Sequence, residues 1–404
     1  MPTPQRTPLY NEHVRLDARI VDFAGFEMPV HYPGGIPDEH AAVRTGAGLF
    51  DIAHMGTAEV SGPGALAFLC TVLTSDVEQL TPGRAQYSCM LRPDGTALDD
   101  LYVYCLEEDR YLLVINAANA EADLAWLRSV LDGAAEVDLD AVTVSTDVTL
   151  TDLKNAGERS RVGLALQGPS SREALESVVA PDSKPALDTI EFNAIARLRL
   201  GEFDVWCSGT GYTGERTAFE LFVHPDSLVG LWRVLLEAGA KPCGLGARDS
   251  LRIEAGLPLF GHELEGPLGL TMNDIGYTFV IRDNDTPFIG QDAYMKRIAA
   301  NPRRLLRLKG KGRKSLRAGH VMVDDEGRAV GEVTSFAFTD DAFDFVVLAA
   351  VERGFKPPAG ETAHGVRQSS DKYAPPPDER RQVALEVAKR HPDKRERARW
   401  REVY

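Results

Sequence analysis

Apolar side chains recur along this chain at two different spacings, and the changes between them mark its elements. Leu101-Tyr102-Val103-Tyr104-Cys105-Leu106 and Tyr111-Leu112-Leu113-Val114-Ile115 are runs of β-forming residues. Glu107-Glu108-Asp109-Arg110 between them has the polar character of a turn, so the two runs predict a β-hairpin. From Glu121 to Leu131 the spacing becomes helical, with Leu124, Leu127 and Leu131 three and four apart. A second helix is expected over Asp226–Ala238, where Leu228, Leu231, Trp232 and Leu235 form one stripe. Asp226 is suited to cap its start and Gly239 to end it. Ala247–Ala255 reads as a shorter helix closed by Gly256 and Pro258.

Short strands dominate from about Arg304 to Val351. Residues 305–308, 320–323, 330–333 and 345–351 are apolar runs separated by turns such as Asp324-Asp325-Glu326-Gly327. This spacing predicts a small β-barrel or sandwich. Beyond about Val366 the chain changes character. Ala374-Pro375-Pro376-Pro377 reads as a linker, and 378–404 as a charged tail that is loosely docked or disordered. Within it, Asp378–Lys389 could form a polar helix, but Val383, Leu385 and Val387 make a poor stripe. No internal repeat is present.

Composition narrows the function classes. A chain of 404 residues with 44% hydrophobic content is long enough to bury two or three cores. A formal net charge of -15 disfavours nucleic acid, whose phosphates demand clustered Lys and Arg. Cys70, Cys89, Cys105, Cys207 and Cys243 form no CxxC pair, so no metal is expected. Scattered cysteines, odd in number, fit a reducing compartment. No apolar run approaches the ~20 residues that cross a bilayer. We therefore expect a soluble, cytoplasmic protein with no membrane contact.

Several residues could carry chemistry. Asp99 and Asp100 follow the Asp94-Gly95 turn and open a strand, so their side chains should point to opposite faces. Asp100 then shares a face with Tyr102 and Tyr104, and Asp99 faces the core side with Leu101, Val103 and Cys105. Only one of the two can line a given pocket; a solvated turn pair is the plainer reading. Gly209-Thr210-Gly211-Tyr212-Thr213-Gly214-Glu215 is either a hairpin loop or a loop whose glycines let backbone approach a ligand. It lacks the Gly-Lys-Ser/Thr ending of a phosphate-binding loop. Arg248 and Arg252, four apart, share a helix face and either form structural ion pairs or clamp a carboxylate. His54, with no second ligand at metal spacing, reads as structural.

Taken in order, these segments resemble the T-protein (aminomethyltransferase) family of the glycine cleavage system. The resemblance is carried by Arg6–Tyr10, Val21–Val30, Glu39–Arg44, Gly48–Gly56, Tyr87–Leu91, Leu98–Leu101, Gly211–Glu215 and Lys241–Gly256. It implies an α+β, three-lobed, cloverleaf-like fold. Two interleaved α+β lobes would occupy residues 1–270, a C-terminal β-barrel 285–365 and the charged tail 366–404. It implies a tetrahydrofolate-dependent transferase that takes an aminomethyl group from a lipoylated carrier, the H-protein, and yields 5,10-methylenetetrahydrofolate and ammonia. Residue by residue, Asp100 matches the aspartate near the folate nitrogens. Met55, Tyr87, Asn116 and Tyr212 match folate-pocket positions, and Arg252 an arginine that orients folate or orders the pocket. Glu220 is expected to fill the pterin-binding glutamate position, although Arg216-Thr217-Ala218-Phe219 makes the approach one residue longer than the family's usual spacing. The barrel segment departs at Phe336–Phe343, where the family has a Gly-Thr/Ser-x-Ser-Pro-type run. Two alternatives stay open: a folate-dependent methyltransferase or demethylase acting on a small O-, S- or N-methylated substrate, and a non-catalytic folate-binding protein.

Overall fold

The computed structural model describes residues 3–138, 147–311, 316–324, 326–339, 344–355, 362–366 and 382–387. The chain divides into two compact units. The first comprises Met1–Gly211, Glu215–Ala247 and Thr278–Arg297; the second comprises Tyr212–Gly214, Arg248–Tyr277 and Ile298–Tyr404.

Besides a two-stranded sheet of Arg19–Phe23 and Phe26–His31, the first unit holds two larger sheets whose strands interleave along the chain. One has six strands in the order Ile195–Leu200, Phe203–Ser208, Ala218–Val223, Val162–Gln167, Gly48–Asp51 and Lys241–Cys243. The other has five, in the order Arg84–Leu91, Ala97–Glu107, Arg110–Ile115, Gly56–Ser61 and Thr149–Asp152. Gly48–Asp51 and Gly56–Ser61 are consecutive strands yet lie in different sheets, so the two layers are tied by the chain itself.

The expected hairpin forms, Ala97–Glu107 pairing antiparallel with Arg110–Ile115. Ala120–Leu131 is a helix whose Leu124 and Leu127 bury against the five-stranded sheet. Pro225–Glu237 buries all four residues of the predicted stripe. Its start differs from expectation: His224, not Asp226, is the cap, its Nδ1 accepting from the Asp226 amide at 3.3 Å. Pro225 takes the first helical position, where a missing N–H costs nothing, and the cap falls two residues upstream of Asp226.

The stretch Thr278–Arg297 belongs to this first unit, although in sequence it lies beyond the lobes expected to end near residue 270. Arg282 explains the attachment. Its guanidinium donates to the carbonyls of Cys70 (2.5 Å), Leu73 (2.7 Å) and Ser75 (3.1 Å), and to those of Thr286 and Pro287. One side chain thereby satisfies several buried carbonyls that would otherwise be costly. Gly95, at φ +76°, admits the same stretch: a Cβ there would lie 2.3 Å from the Tyr294 amide nitrogen.

The second unit contains the predicted barrel, and the barrel is closed. Its strands run Arg303–Lys311, Asp344–Glu352, Ala329–Phe338, Val321–Val323, Thr362–Val366 and Gln382–Val387. The last of these departs, at Gln382–Val387, from the loosely docked tail expected over 378–404 and from the polar helix considered at 378–389. Gln382–Val387 is a strand, antiparallel to both Thr362–Val366 and Arg303–Lys311, with Leu385 fully buried. Val383, Leu385 and Val387 are spaced by two, which is a strand period and explains why they made a poor helical stripe. The strand joins the two sheet edges, leaving neither exposed. The linker at 374–377 and the chain after 387 lie outside the described residues.

Candidate active site

Strand alternation decides which of the two adjacent aspartates is available. Asp99 is fully buried, whereas Asp100 keeps partial solvent contact and shares its face with Tyr102 and Tyr104. Pairing of Arg84–Leu91 with Ala97–Glu107 sets Tyr87 opposite Tyr102 and Cys89 opposite Asp100. Tyr87 is thus the diagonal neighbour of Asp100, and its hydroxyl donates to Asp100 Oδ2 at 2.5 Å. Asn116, just past the end of the neighbouring strand, donates its side-chain amide to Asp100 Oδ1 at 3.2 Å and to the Asp100 carbonyl at 3.0 Å.

Asn116 is held in turn by Asp99. Its backbone amide donates to Asp99 Oδ2 at 2.9 Å and its side chain to Asp99 Oδ1 at 2.8 Å. Asn119 adds a third donor to Asp99 Oδ1 at 2.6 Å. Burial and the neighbouring Asp99 charge push the Asp100 carboxyl up to about 7; the bonds from Tyr87 and Asn116 act the other way but do not cancel the rise. A carboxyl titrating near neutrality can exchange protons with a bound reactant at little cost.

Next to Asp100 runs an aromatic wall. Ring centroids of Tyr87 and Tyr102 are 5.6 Å apart, those of Tyr102 and Tyr104 5.7 Å, and those of Tyr104 and Phe222 5.8 Å. Met55 packs with Tyr102 against the same cluster, which draws residues from both sheets of the unit. At the Tyr104 end stands Glu220. Its Oε2 accepts from Thr210 Oγ1 at 2.5 Å and from the Tyr104 hydroxyl at 3.1 Å. Ala218–Val223 pairs in unbroken register with Val162–Gln167, leaving Phe219 on the buried face and Glu220 on the other. Asp100, Tyr87, Asn116, Met55 and Glu220 therefore all belong to the first unit and border one aromatic surface. This surface, with a carboxylate near each end, fits a flat, hydrogen-bonding heterocycle.

Tyr212 and Arg252 belong to the second unit. The Tyr212 hydroxyl donates to the Pro258 carbonyl, and the Arg248 guanidinium lies 4.6 Å from its ring centroid. The two arginines of the helix Leu245–Ala255 have different environments. Arg248 is half-buried, whereas Arg252 is 1% exposed. Arg252 donates to Asp249 (2.8 Å), Glu263 (2.9 Å), Ser335 (2.9 Å) and the Leu257 carbonyl (3.3 Å). Ser335 closes the cluster by donating to Glu263 at 2.6 Å. Four of five guanidinium donors are thus engaged by protein. Of the readings open for these arginines, the partners of Arg252 favour structural ion pairs over a carboxylate clamp.

The glycine-rich loop joins the antiparallel strands Phe203–Ser208 and Ala218–Val223. A Cβ at Gly211 would lie 2.1 Å from Gln167 Oε1. Close approach to the protein itself explains that glycine. The five cysteines are buried, and the His54 ring stands edge-on to Phe23 and Phe26. Among the described residues no cluster of His, Cys, Asp and Glu could hold a metal, and no helix is long and apolar enough to cross a membrane.

Comparison with known proteins agrees with this geometry. Residues 9–282 match the GCVT N-terminal domain family. The chain belongs to the aminomethyltransferase family. It is 41% identical to the aminomethyltransferase of Geobacillus kaustophilus over 342 residues, covering 82% of this chain and 86% of the relative. It is 39% identical to that of Deinococcus deserti over 350 residues, covering 87% and 89%. Among solved structures, the glycine cleavage system aminomethyltransferase T from Bartonella henselae matches with a TM-score of 0.77 at 31% identity, covering 96% of this chain and 97% of that one. The α+β fold with its C-terminal barrel is therefore that of the family, and the protein is an enzyme, a folate-dependent one-carbon transferase with tetrahydrofolate as its co-substrate.

Reading the sequence for chemistry missed the partners that hold the site. Asn119 and Asp123 grip Asp99 from the start of a helix, and Glu263 and Ser335 saturate Arg252. Asp123 left one signal: a carboxylate next to Leu124 on the otherwise apolar stripe of Ala120–Leu131.

Proposed function

We propose that this protein transfers an aminomethyl carbon from the thioether sulfur of a lipoylated carrier protein to tetrahydrofolate, and that Asp100 is its catalytic residue. In this reaction the carbon loses its bonds to sulfur and to the amine nitrogen, gains bonds to two folate nitrogens, and leaves a free thiol, ammonia and 5,10-methylenetetrahydrofolate. The observation that carries the reading is Asp100 itself, a carboxyl with a pKa near 7 at one end of an aromatic surface in a chain of this family.

Asp100 acts in its ionised form. It takes a proton from the attacking nitrogen and stabilises positive charge on the carbon in transit. Tyr87 and Asn116 fix the carboxylate, each donating to a different oxygen. Tyr87, Tyr102 and Met55 offer surface for the reduced pterin, and Glu220 accepts from its amino-substituted edge, a pairing that suits a carboxylate and two N–H donors. In the second unit, Arg252 has a positioning role for the residues around it. Scattered cysteines, odd in number, support a cytoplasmic setting.

The test runs the reaction backwards. Purified protein is mixed with 5,10-methylenetetrahydrofolate, ammonia and reduced lipoylated carrier, and the carrier arm is examined by mass spectrometry. Enzyme-dependent aminomethylation of the arm is the expected result. Its absence, with folate bound and an aminomethyltransferase of known activity working in parallel, would overturn the carrier as donor and leave a small methylated donor to be tried.

A further inference from the structure

Asp123 is fully buried on the helix Ala120–Leu131, one turn after Asn119. Neither of its oxygens meets a nitrogen or hydroxyl donor. Among the described residues, its one polar neighbour within hydrogen-bond reach is another carboxyl, that of Asp99. Two touching carboxyls cannot both be ionised in a buried site, so the pair must share a proton. The donors decide where it sits. Asp99 already accepts three N–H bonds, from the amide and side chain of Asn116 and from Asn119, all between 2.6 and 2.9 Å. Asp123 accepts none from nitrogen. The proton therefore belongs to Asp123, which donates it to an ionised Asp99.

We propose that Asp123 is a positioning residue for the transfer reaction: as hydrogen-bond donor to Asp99 it keeps that carboxylate charged, and Asp99 in turn grips Asn116 and sets the charge felt by the catalytic Asp100. The inference rests on the proposed role of Asp100. The groups facing the pair are few. Asp99 and Asp100 act on Asp123 from the strand Ala97–Glu107, and Arg92, from the preceding turn, is the cation that acts on it. Arg92 also donates to the Ala97 carbonyl at 2.8 Å. Burial and Asp99 together raise the Asp123 carboxyl to about 10, so that it keeps its proton through the neutral range.

Removing the donor has a consequence that loss of packing alone would not. In Asp123→Leu, Asp99 would be buried with its charge supported only by N–H donors and would take up a proton itself. Neutral Asp99 no longer raises the Asp100 carboxyl, so the acid limb of kcat/KM moves to lower pH. In Asp123→Asn an amide N–H still donates to Asp99, and the limb stays in place.

Two measurements test this. Infrared spectroscopy of the whole protein at about pH 8.5 should show a carboxylic-acid carbonyl band that is absent from Asp123→Asn, since ordinary aspartates are ionised there. Absence of the band overturns the proposal, whatever the enzyme turns over. The pH profile of carrier aminomethylation should then shift its acid limb down by about half a unit or more in Asp123→Leu, with kcat/KM falling about tenfold. Asp123→Asn should keep the limb and lose less than about threefold. Identical limbs in all three proteins, or a shifted limb in Asp123→Asn, overturn the proposal. If Asp123→Leu does not fold, the infrared comparison and the Asp123→Asn profile decide. A wild-type band without turnover on the carrier would instead strike the proposed donor and leave the acid pair standing.

Discussion

Two buried polar clusters in this protein are built from similar residues and behave in opposite ways. Around Arg252, one cation meets the carboxylates of Asp249 and Glu263 and the hydroxyl of Ser335. Opposite charges are adjacent: burial disfavours the Arg252 charge, but Tyr212, Glu263 and Asp249 outweigh it and hold the arginine charged. Around Asp100, three carboxyls meet amides and a phenol. Burial pushes Asp99, Asp100 and Asp123 all above the usual carboxylate range, and the charge of Asp99 adds to the rise at Asp100 and Asp123. A charge-matched cluster fixes structure; an unmatched one stores protons that chemistry can use.

The comparison breaks most sharply at its catalytic end. Asp100→Asn should lower kcat/KM about 10²- to 10⁴-fold while folate still binds, because only the proton acceptor is lost. Full turnover in this variant would remove Asp100 from the reaction. The same variant should change stability in the other direction. The folded-state value of Asp100, about 7, lies above its ordinary 3.8. Between those values the folded chain holds more protons than the unfolded chain, so stability falls as pH rises through that window. Asn does not titrate, and the fall should flatten.

At the structural end, Arg252→Ala should cost about 3–5 kcal/mol in urea unfolding, since it leaves Glu263 buried without its cation. A cost below about 1 kcal/mol, the scale of a surface pair, would show that the cluster is not what holds this region. Leu385→Ala should cost about 3 kcal/mol by opening a cavity under the strand that closes the barrel. A negligible effect would mean that the strand contributes little to closure.

The smallest effect sharpens the account of the carboxyl itself. Tyr87 donates to Asp100 and so favours its ionised form. In Tyr87→Phe the acid limb of kcat/KM should move upward by less than about one pH unit, opposite in sign to Asp123→Leu. A downward move would mean that the phenol does not stabilise the carboxylate.

Much was legible from local pattern, because it depends on neighbours along the chain. The hairpin, the helices after it and the strand-rich barrel follow from spacings of two and of three to four. Alternation along one strand was enough to separate Asp100 from Asp99 and to align it with Tyr102 and Tyr104. Spacing misled at Val383, Leu385 and Val387, where a period-two signal sat in a highly charged segment and was weighed as a poor helical stripe. Only a partner at the open barrel edge makes that segment a strand.

What only the tertiary structure decided is which polar groups meet across long stretches of chain. Arg248 and Arg252 are equivalent by spacing, yet Glu263 and Ser335 saturate one, and Tyr212 stacks under the other. Nothing near Asp123 in sequence shows that it faces Asp99, and nothing near Arg282 shows that carbonyls of Cys70, Leu73 and Ser75 await it. Local pattern determined the elements and the faces that would bury. Proton sharing and charge pairing act over a few ångströms between residues distant in sequence, and folding alone brings those residues together.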